Sequence, residues 1–168
     1  GSAGLSKEAW FDGLLKGRAL VTSGPILEMA VGPSLPGDVI EFSDGGGIIN
    51  ISGRLRSIVD VESVKLVCNG ELIEEVFLKA NKREFNFDTR FDVRESGWCH
   101  LRTEGDSDTR RFLDVRYPQA FTNPIWFSVD GKPIQNEGAV QYALEWIDKL
   151  EYLAAQWPGW RSEQERKH

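Results

Sequence analysis

At 168 residues, 40% hydrophobic and 27% charged, the chain has ordinary globular composition and the length of one domain. That length buries roughly 70% of the unfolded surface, so the core needs no staples. A net charge of −6 weighs against nucleic acid, no apolar run approaches the ~18–20 residues that span a bilayer, and no signal peptide is visible in these residues.

The first stretch, "SKEAWFDGLLKG" (6–17), reads as a short amphipathic helix carrying Trp10. "GRALVTSGPILE" (17–28) comes next, with the β-branched apolar run of a buried strand ending at a Gly24-Pro25 turn. From there the period is two. "GIINISGRLRSI" places Ile49, Ile51 and Leu55 on one face and Asn50, Ser52, Arg54 and Arg56 on the other. "KLVCNGELIEEV" carries Asn69-Gly70 between two apolar arms, the strongest short hairpin signal. "REFNFDTRFDV" alternates Phe85, Phe87, Thr89, Phe91 and Val93 with polar residues, and "RESG" and "EGDSDT" punctuate the later strands. Between residues 18 and 131 this predicts about seven to nine short strands, the spacing of a β-sandwich. The expected core holds Ile49, Ile51, Leu66, Phe85, Phe87, Phe91, Leu113 and Val115.

Asp130-Gly131 and Pro133 close the β region. Val140, Ala143, Leu144, Ile147, Leu150, Ala154 and Trp157 then recur at helical spacing, and Pro158-Gly159 stops the helix. The expected fold is therefore mainly β: an immunoglobulin-like antiparallel β-sandwich with a short N-terminal helix and a C-terminal α-helix. Short helices are marginal alone in water, so both are expected to rest on the sandwich or on each other and to leave an apolar patch over. Both ends read as cut. Gly1-Ser2 looks like a cloning remnant, and Ser162 with Glu165 is a capping-box pair that opens a helix near the end of the chain.

Chemistry is sparse. Of two histidines, His168 is terminal and His100 stands alone on a strand, where a surface or interface role is expected rather than metal ligation. Ser23 has no base near it in sequence and reads as a strand-end residue. "GGG" at 45–47 reads as a turn, not a phosphate loop. Glu104, Asp106 and Asp108 alternate within a loop that either holds calcium or is simply a solvated acidic hairpin, the latter being expected. Arg83, Arg90, Arg94 and Arg102 sit among Glu84, Asp88, Asp92 and Glu104 as a mixed surface. Cys68 and Cys99 each fall inside a strand, as two small buried thiols or as a disulfide between facing sheets.

Tryptophan is the oddity, with six copies. Trp98 and His100 fall opposite Cys99 and Leu101 in strand parity, and Trp126 falls opposite Ile125 and Phe127. Both tryptophans therefore point outward, as an interface, a surface covered by the C-terminal helix, or a carbohydrate-stacking platform. Trp98, His100, Trp126, Trp10 and Trp157 are the candidate interface or ligand residues. No residue is assigned a catalytic or metal-binding role and no cofactor is expected.

"W-x2-GLLKGRALVTSGPILE", "VCNGELIEEV" and "AFTNPIWFSVDGKPI…WIDKL…PGWRSEQER" together resemble the C-terminal region of CehA/McbA-type metallohydrolases, relatives of the PHP phosphoesterases. The resemblance covers about residues 8–168. It implies that a metal-binding catalytic domain precedes this region and that the sandwich is its non-catalytic accessory. Residues 1–17 would then be the end of that domain or a linker helix, 18–132 the sandwich, and 133–168 a helical extension. The family often carries a histidine where this chain has Phe121. On this reading the partners are the missing hydrolase domain and, through exposed apolar surface, a second copy, with neither nucleic acid nor membrane. The alternative function is a carbohydrate- or ligand-binding sandwich built on the exposed tryptophans.

Overall fold

The computed structural model describes residues 6–105 and 116–157 together with Gly159 and Ser162. Leu113, Val115, Asp106, Asp108, Pro158, Glu165 and His168 lie outside the described residues. The chain divides into two compact units, Gly1–Ile134 and Gln135–His168.

The first unit opens with α1 (Lys7–Leu15), whose N-cap Ser6 accepts from the Ala9 N–H. Ten strands come after it among the described residues: β1 (Leu20–Thr22), β2 (Ile26–Val31), β3 (Val39–Phe42), β4 (Gly47–Arg56), β5 (Ser63–Cys68), β6 (Glu71–Phe77), β7 (Glu84–Val93), β8 (Gly97–Glu104), β9 (Gln119–Thr122) and β10 (Ile125–Val129). They form a three-stranded sheet, β2-β4-β7, and a seven-stranded sheet in which β8 pairs with β5 on one edge and with β10 and then β9 on the other. β6 extends the sheet beyond β5, β1 lies beside β9, and β3 lies beside β10. The result is a mainly β, two-sheet, immunoglobulin-like sandwich.

Several expectations hold in detail. Ile49, Ile51 and Leu55 on β4, Leu66 on β5 and Phe87 on β7 are buried, with Phe85 and Phe91 packed against the core from partly exposed positions. The Asn69-Gly70 hairpin joins β5 to β6, and both residues take the positive φ that such a turn demands. Gly53 occupies the inward position between Ile51 and Leu55 on β4. A Cβ there would run into Leu101 Cδ1 from the other sheet and come within 2.9 Å of the Glu28 carbonyl.

Four expectations are corrected. There are ten described strands rather than seven to nine, partly because Pro124, which has no N–H, interrupts β8's partner strand and divides it into β9 and β10. One pairing is parallel: β3 runs alongside β10 because the chain leaves the small sheet after β2 and joins the large one. β1 is an exposed edge strand instead of a buried one, since β9 is its one pairing partner and Val21 faces outward. Finally, Cys68 and Cys99 are joined by a disulfide, but within the large sheet. They are direct register partners on β5 and β8, with both side chains turned into the core.

The N-terminal helix departs from expectation as well. None of α1's residues is buried, and Trp10, Phe11, Leu14 and Leu15 are all exposed. In the second unit, α2 (Glu137–Gln156) starts at Asn136, which accepts from the Ala139 N–H at 2.9 Å, and ends at the C-cap Trp157. Within that unit Val140, Leu144, Ile147 and Leu150 form an exposed apolar stripe.

Candidate interaction surface

Strand parity builds the candidate surface. With Gly97, Cys99, Leu101 and Thr103 of β8 turned inward, Trp98, His100 and Arg102 face out. Register then assembles rows across the large sheet. Trp98 lies opposite Trp126 of β10, which lies opposite Val39 of β3. His100 lies opposite Val67. Arg102 lies opposite Phe121 of β9, which lies opposite Val21 of β1. The rings touch in a line: Trp98 meets His100 at 5.6 Å between centroids, and His100 meets Phe121 at 6.5 Å, both edge-on. Trp126 keeps 37% of its surface exposed and Trp98 is half-buried.

The sequence therefore placed Trp98, His100 and Trp126 on one outward face, and the structure adds Phe121, Val21 and Val39 to it. Trp10 stands apart on α1, where it meets Phe11 edge-on at 5.0 Å. Trp157 belongs to the second unit.

The His100 imidazole is pushed toward its neutral form. Burial pushes its pKa down and the nearby Arg102 charge pushes the same way, while the bond its ring N–H donates to the Thr122 carbonyl pulls back up. Beside the aromatic line sits a charged cluster. Lys65 pairs with Glu104 and, at 3.4 Å, with Glu75, and Arg102 reaches Glu104 at 2.8 Å. The Lys65 ammonium holds the Glu104 carboxyl below its ordinary range, and Glu104 raises Lys65 in return. Glu104 is thus engaged by two cations, and the other two members of the expected calcium trio lie outside the described residues. Among the described residues no cluster of His, Cys, Asp and Glu has metal-holding geometry. Ser23 ties the end of β1 to the first residue of β9, accepting from the Gln119 N–H at 3.0 Å.

Two of the stretches quoted in the sequence analysis meet in space. In "GRALVTSGP", Arg18 donates to the Leu35 and Pro36 carbonyls and to the Asp38 carboxylate at 2.6 Å. That guanidinium, with the Leu35 N–H, holds the Asp38 carboxyl below its ordinary range. In "TNPI", the Asn123 amide donates to the Gly17 carbonyl at 3.1 Å and its backbone N–H to the Ala19 carbonyl at 3.1 Å. The Pro124 carbonyl accepts from the Gly37 N–H at 2.7 Å. Where the strand breaks, the Thr122 hydroxyl accepts the Leu101 N–H at 3.1 Å and so replaces a lost ladder acceptor. Gly37 is required by this junction, because any Cβ would collide with the Lys16 carbonyl. Sequence reasoning singled out these motifs without seeing that they form one clasp at the root of α1. The signal was there: Asn-Pro inside a β-run, and a lone Arg at a helix exit.

No protein-family model matches this sequence, and no curated protein matches it.

Proposed function

We propose that this chain is an accessory interaction domain, a β-sandwich that packs on a metal-dependent hydrolase domain of the PHP-related type and takes no part in the chemistry itself. The observation that carries the reading is α1. The clasp of Arg18, Asp38, Asn123 and Gly37 fixes the end of this helix to the sandwich, yet the helix buries none of its own side chains and leaves Trp10 61% exposed. A helix of nine residues is marginal alone. Covering its large apolar side chains is worth about 1.5–3 kcal/mol each, so a neighbour that takes them up stabilises both partners. The resemblance supplies the kind of neighbour.

The test begins with the reading frame that encodes the chain. His- and Asp-rich metal motifs upstream of these residues are expected, and their absence overturns the hydrolase reading. The domain they encode is then titrated with this chain. Saturable binding that Leu14→Ser and Trp10→Ser weaken together supports the docking role, and unchanged affinity overturns it.

A second reading is favoured by the Trp98–Trp126 register pair, two tryptophans side by side on an outward face. Such a face suits stacking against sugar rings. Quenching or enhancement of tryptophan fluorescence by neutral oligosaccharides, lost in Trp126→Ala, tests it.

A further inference from the structure

We propose that α2 is a self-pairing helix that binds α2 of a second copy of this chain, antiparallel, along a single seam. This does not depend on the hydrolase reading and uses the second unit rather than α1 or the sandwich.

The seam is written in the spacing. Val140, Ala143, Ile147, Leu150, Ala154 and Trp157 follow one another at alternating steps of three and four residues. That alternation keeps one stripe turned toward a partner helix. No charged residue interrupts it. Glu145 and Asp148 fall away from the stripe, where Glu145 accepts from the Gln141 amide at 3.2 Å. None of the described side chains of α2 is buried, so the stripe has no core within its own unit.

The order of sizes singles out a second copy. Antiparallel pairing centred between Ile147 and Leu150 sets Ile147 against the partner's Leu150, Ala143 against the partner's Ala154 and Val140 against the partner's Trp157. Large side chains meet in the middle. On either side of them a pair of alanines lets the backbones approach, and at each end the short valine leaves room for an indole. The pairing is two-fold, so one surface serves both copies. An unlike partner gives no reason for a stripe whose sizes match when it is read backwards against itself.

The flanks choose the direction. Trp146 and Leu153 lie along one side of the seam, about half exposed. Antiparallel pairing brings Trp146 alongside the partner's Leu153, an apolar contact made twice. Parallel pairing brings Trp146 alongside the partner's Glu151 and carries Leu153 past the end of the helix. Antiparallel helices also oppose their dipoles. The area suffices: the large side chains of seam and flanks expose on the order of 600 Å² per copy, so a pair reaches the roughly 1,200 Å² at which stable interfaces begin.

Sedimentation equilibrium of the full chain tests the pairing. From about 1 to about 200 µM the chain should pass from monomer to dimer, with a Kd in the micromolar range. Ile147→Glu, an exposed change outside the sandwich core, should weaken the dimer at least about tenfold by setting an unpaired charge in the seam. Direction is read by cross-linking. Ala143→Cys mixed with Ala154→Cys should form the mixed disulfide at least about tenfold faster than either variant forms one with itself. Like positions would lie about 16 Å apart along the axis, beyond the reach of a disulfide. A chain that stays monomeric across the range overturns the proposal, whether the stripe then lies on its own sandwich or takes an unlike partner. A dimer indifferent to Ile147→Glu places the contact elsewhere and overturns it too. So does faster disulfide formation within either cysteine variant alone, the mark of parallel pairing.

Discussion

The two outer faces of the sandwich obey one rule of alternation and reach opposite chemistries. On the small sheet the outward residues include Glu28, Asn50, Ser52, Arg54, Arg56, Asn86, Asp88 and Arg90, the dress of a surface that meets water. The small sheet's outward face also shows Ile26 and Ile48, while the large sheet's sets Val21, Val39, Val67, Trp98, Phe121 and Trp126 among Glu41, Lys65, Arg102 and Gln119, so the aromatic rings are what distinguishes it. Burial toward the core cannot cause the difference, since both sets point away from it. A sheet that only had to fold would carry the first pattern on both sides. The second pattern is the one on which the ligand-binding reading rests.

The comparison breaks most readily from the inside, since both faces presuppose the same core. Phe87 is 3% exposed and is the largest core side chain on β7. Phe87→Ala should lower stability by about 3–5 kcal/mol. Urea unfolding that shifts by less than about 1 kcal/mol would mean that β7 turns its other side inward, and the assignment of the polar face would fall with it.

Next in size is the disulfide beneath the aromatic face. Cys68→Ala with Cys99→Ala opens a cross-link spanning 31 residues and should cost about 2–4 kcal/mol, read by the same unfolding experiment. The loss should be matched by reducing the native protein under denaturing conditions. A double variant as stable as the parent would show that the β5–β8 ladder alone holds that part of the large sheet.

These two sites show what was legible in the residues. Phe87 was readable because alternation in "REFNFDTRFDV" is local, and parity alone sends it inward. The same parity sent Trp98 and Trp126 outward. The cysteine pairing was not readable. Parity places both thiols inside, but whether they sit opposite or adjacent depends on β5 and β8 being neighbours, a fact of long-range pairing. The edge position of β2 was hidden for the same reason: nothing in "ILEMAV" distinguishes an edge strand from a central one. The break at Pro124 was not read either, although a proline inside a β-run signals one, and nothing local shows that the Thr122 hydroxyl stands in for the lost acceptor.

A sharper contrast comes from substituting the two faces separately. Trp126→Ser on the aromatic face and Asp88→Ser on the polar one should each change stability by less than about 1 kcal/mol, as surface positions do. Their effects on association should diverge. Under the sugar-stacking role proposed for the aromatic face, Trp126→Ser should reduce binding by at least about tenfold, since exposed aromatics dominate such contacts, while Asp88→Ser should leave it unchanged. Equal effects of the two would show that the difference between the faces is compositional accident.

The smallest expected effect is the most specific to the aromatic face. His100 is the one residue in its line of rings that can gain a charge, and its folded pKa is depressed, first by burial and also by the nearby Arg102. In the unfolded chain it titrates near its ordinary value of 6.5. As the pH falls below that value, the unfolded chain takes up a proton that the folded chain still refuses. The stability contributed by the neutral imidazole is therefore fully present above about 6.5, lost as the pH falls through the folded pKa, and level below it. Glu104 and Asp38, whose folded pKa values are also depressed, act in a lower window, below their ordinary 4.5 and 3.8, so the two contributions separate on the pH axis. Unfolding free energy measured from pH 7.5 down to 5 should decline in the parent and stay flatter in His100→Gln. If the aromatic face is covered by a partner, the imidazole is desolvated further and the decline should steepen in the complex. An identical slope in parent and variant would place the titration elsewhere and leave the face without a pH-sensitive member.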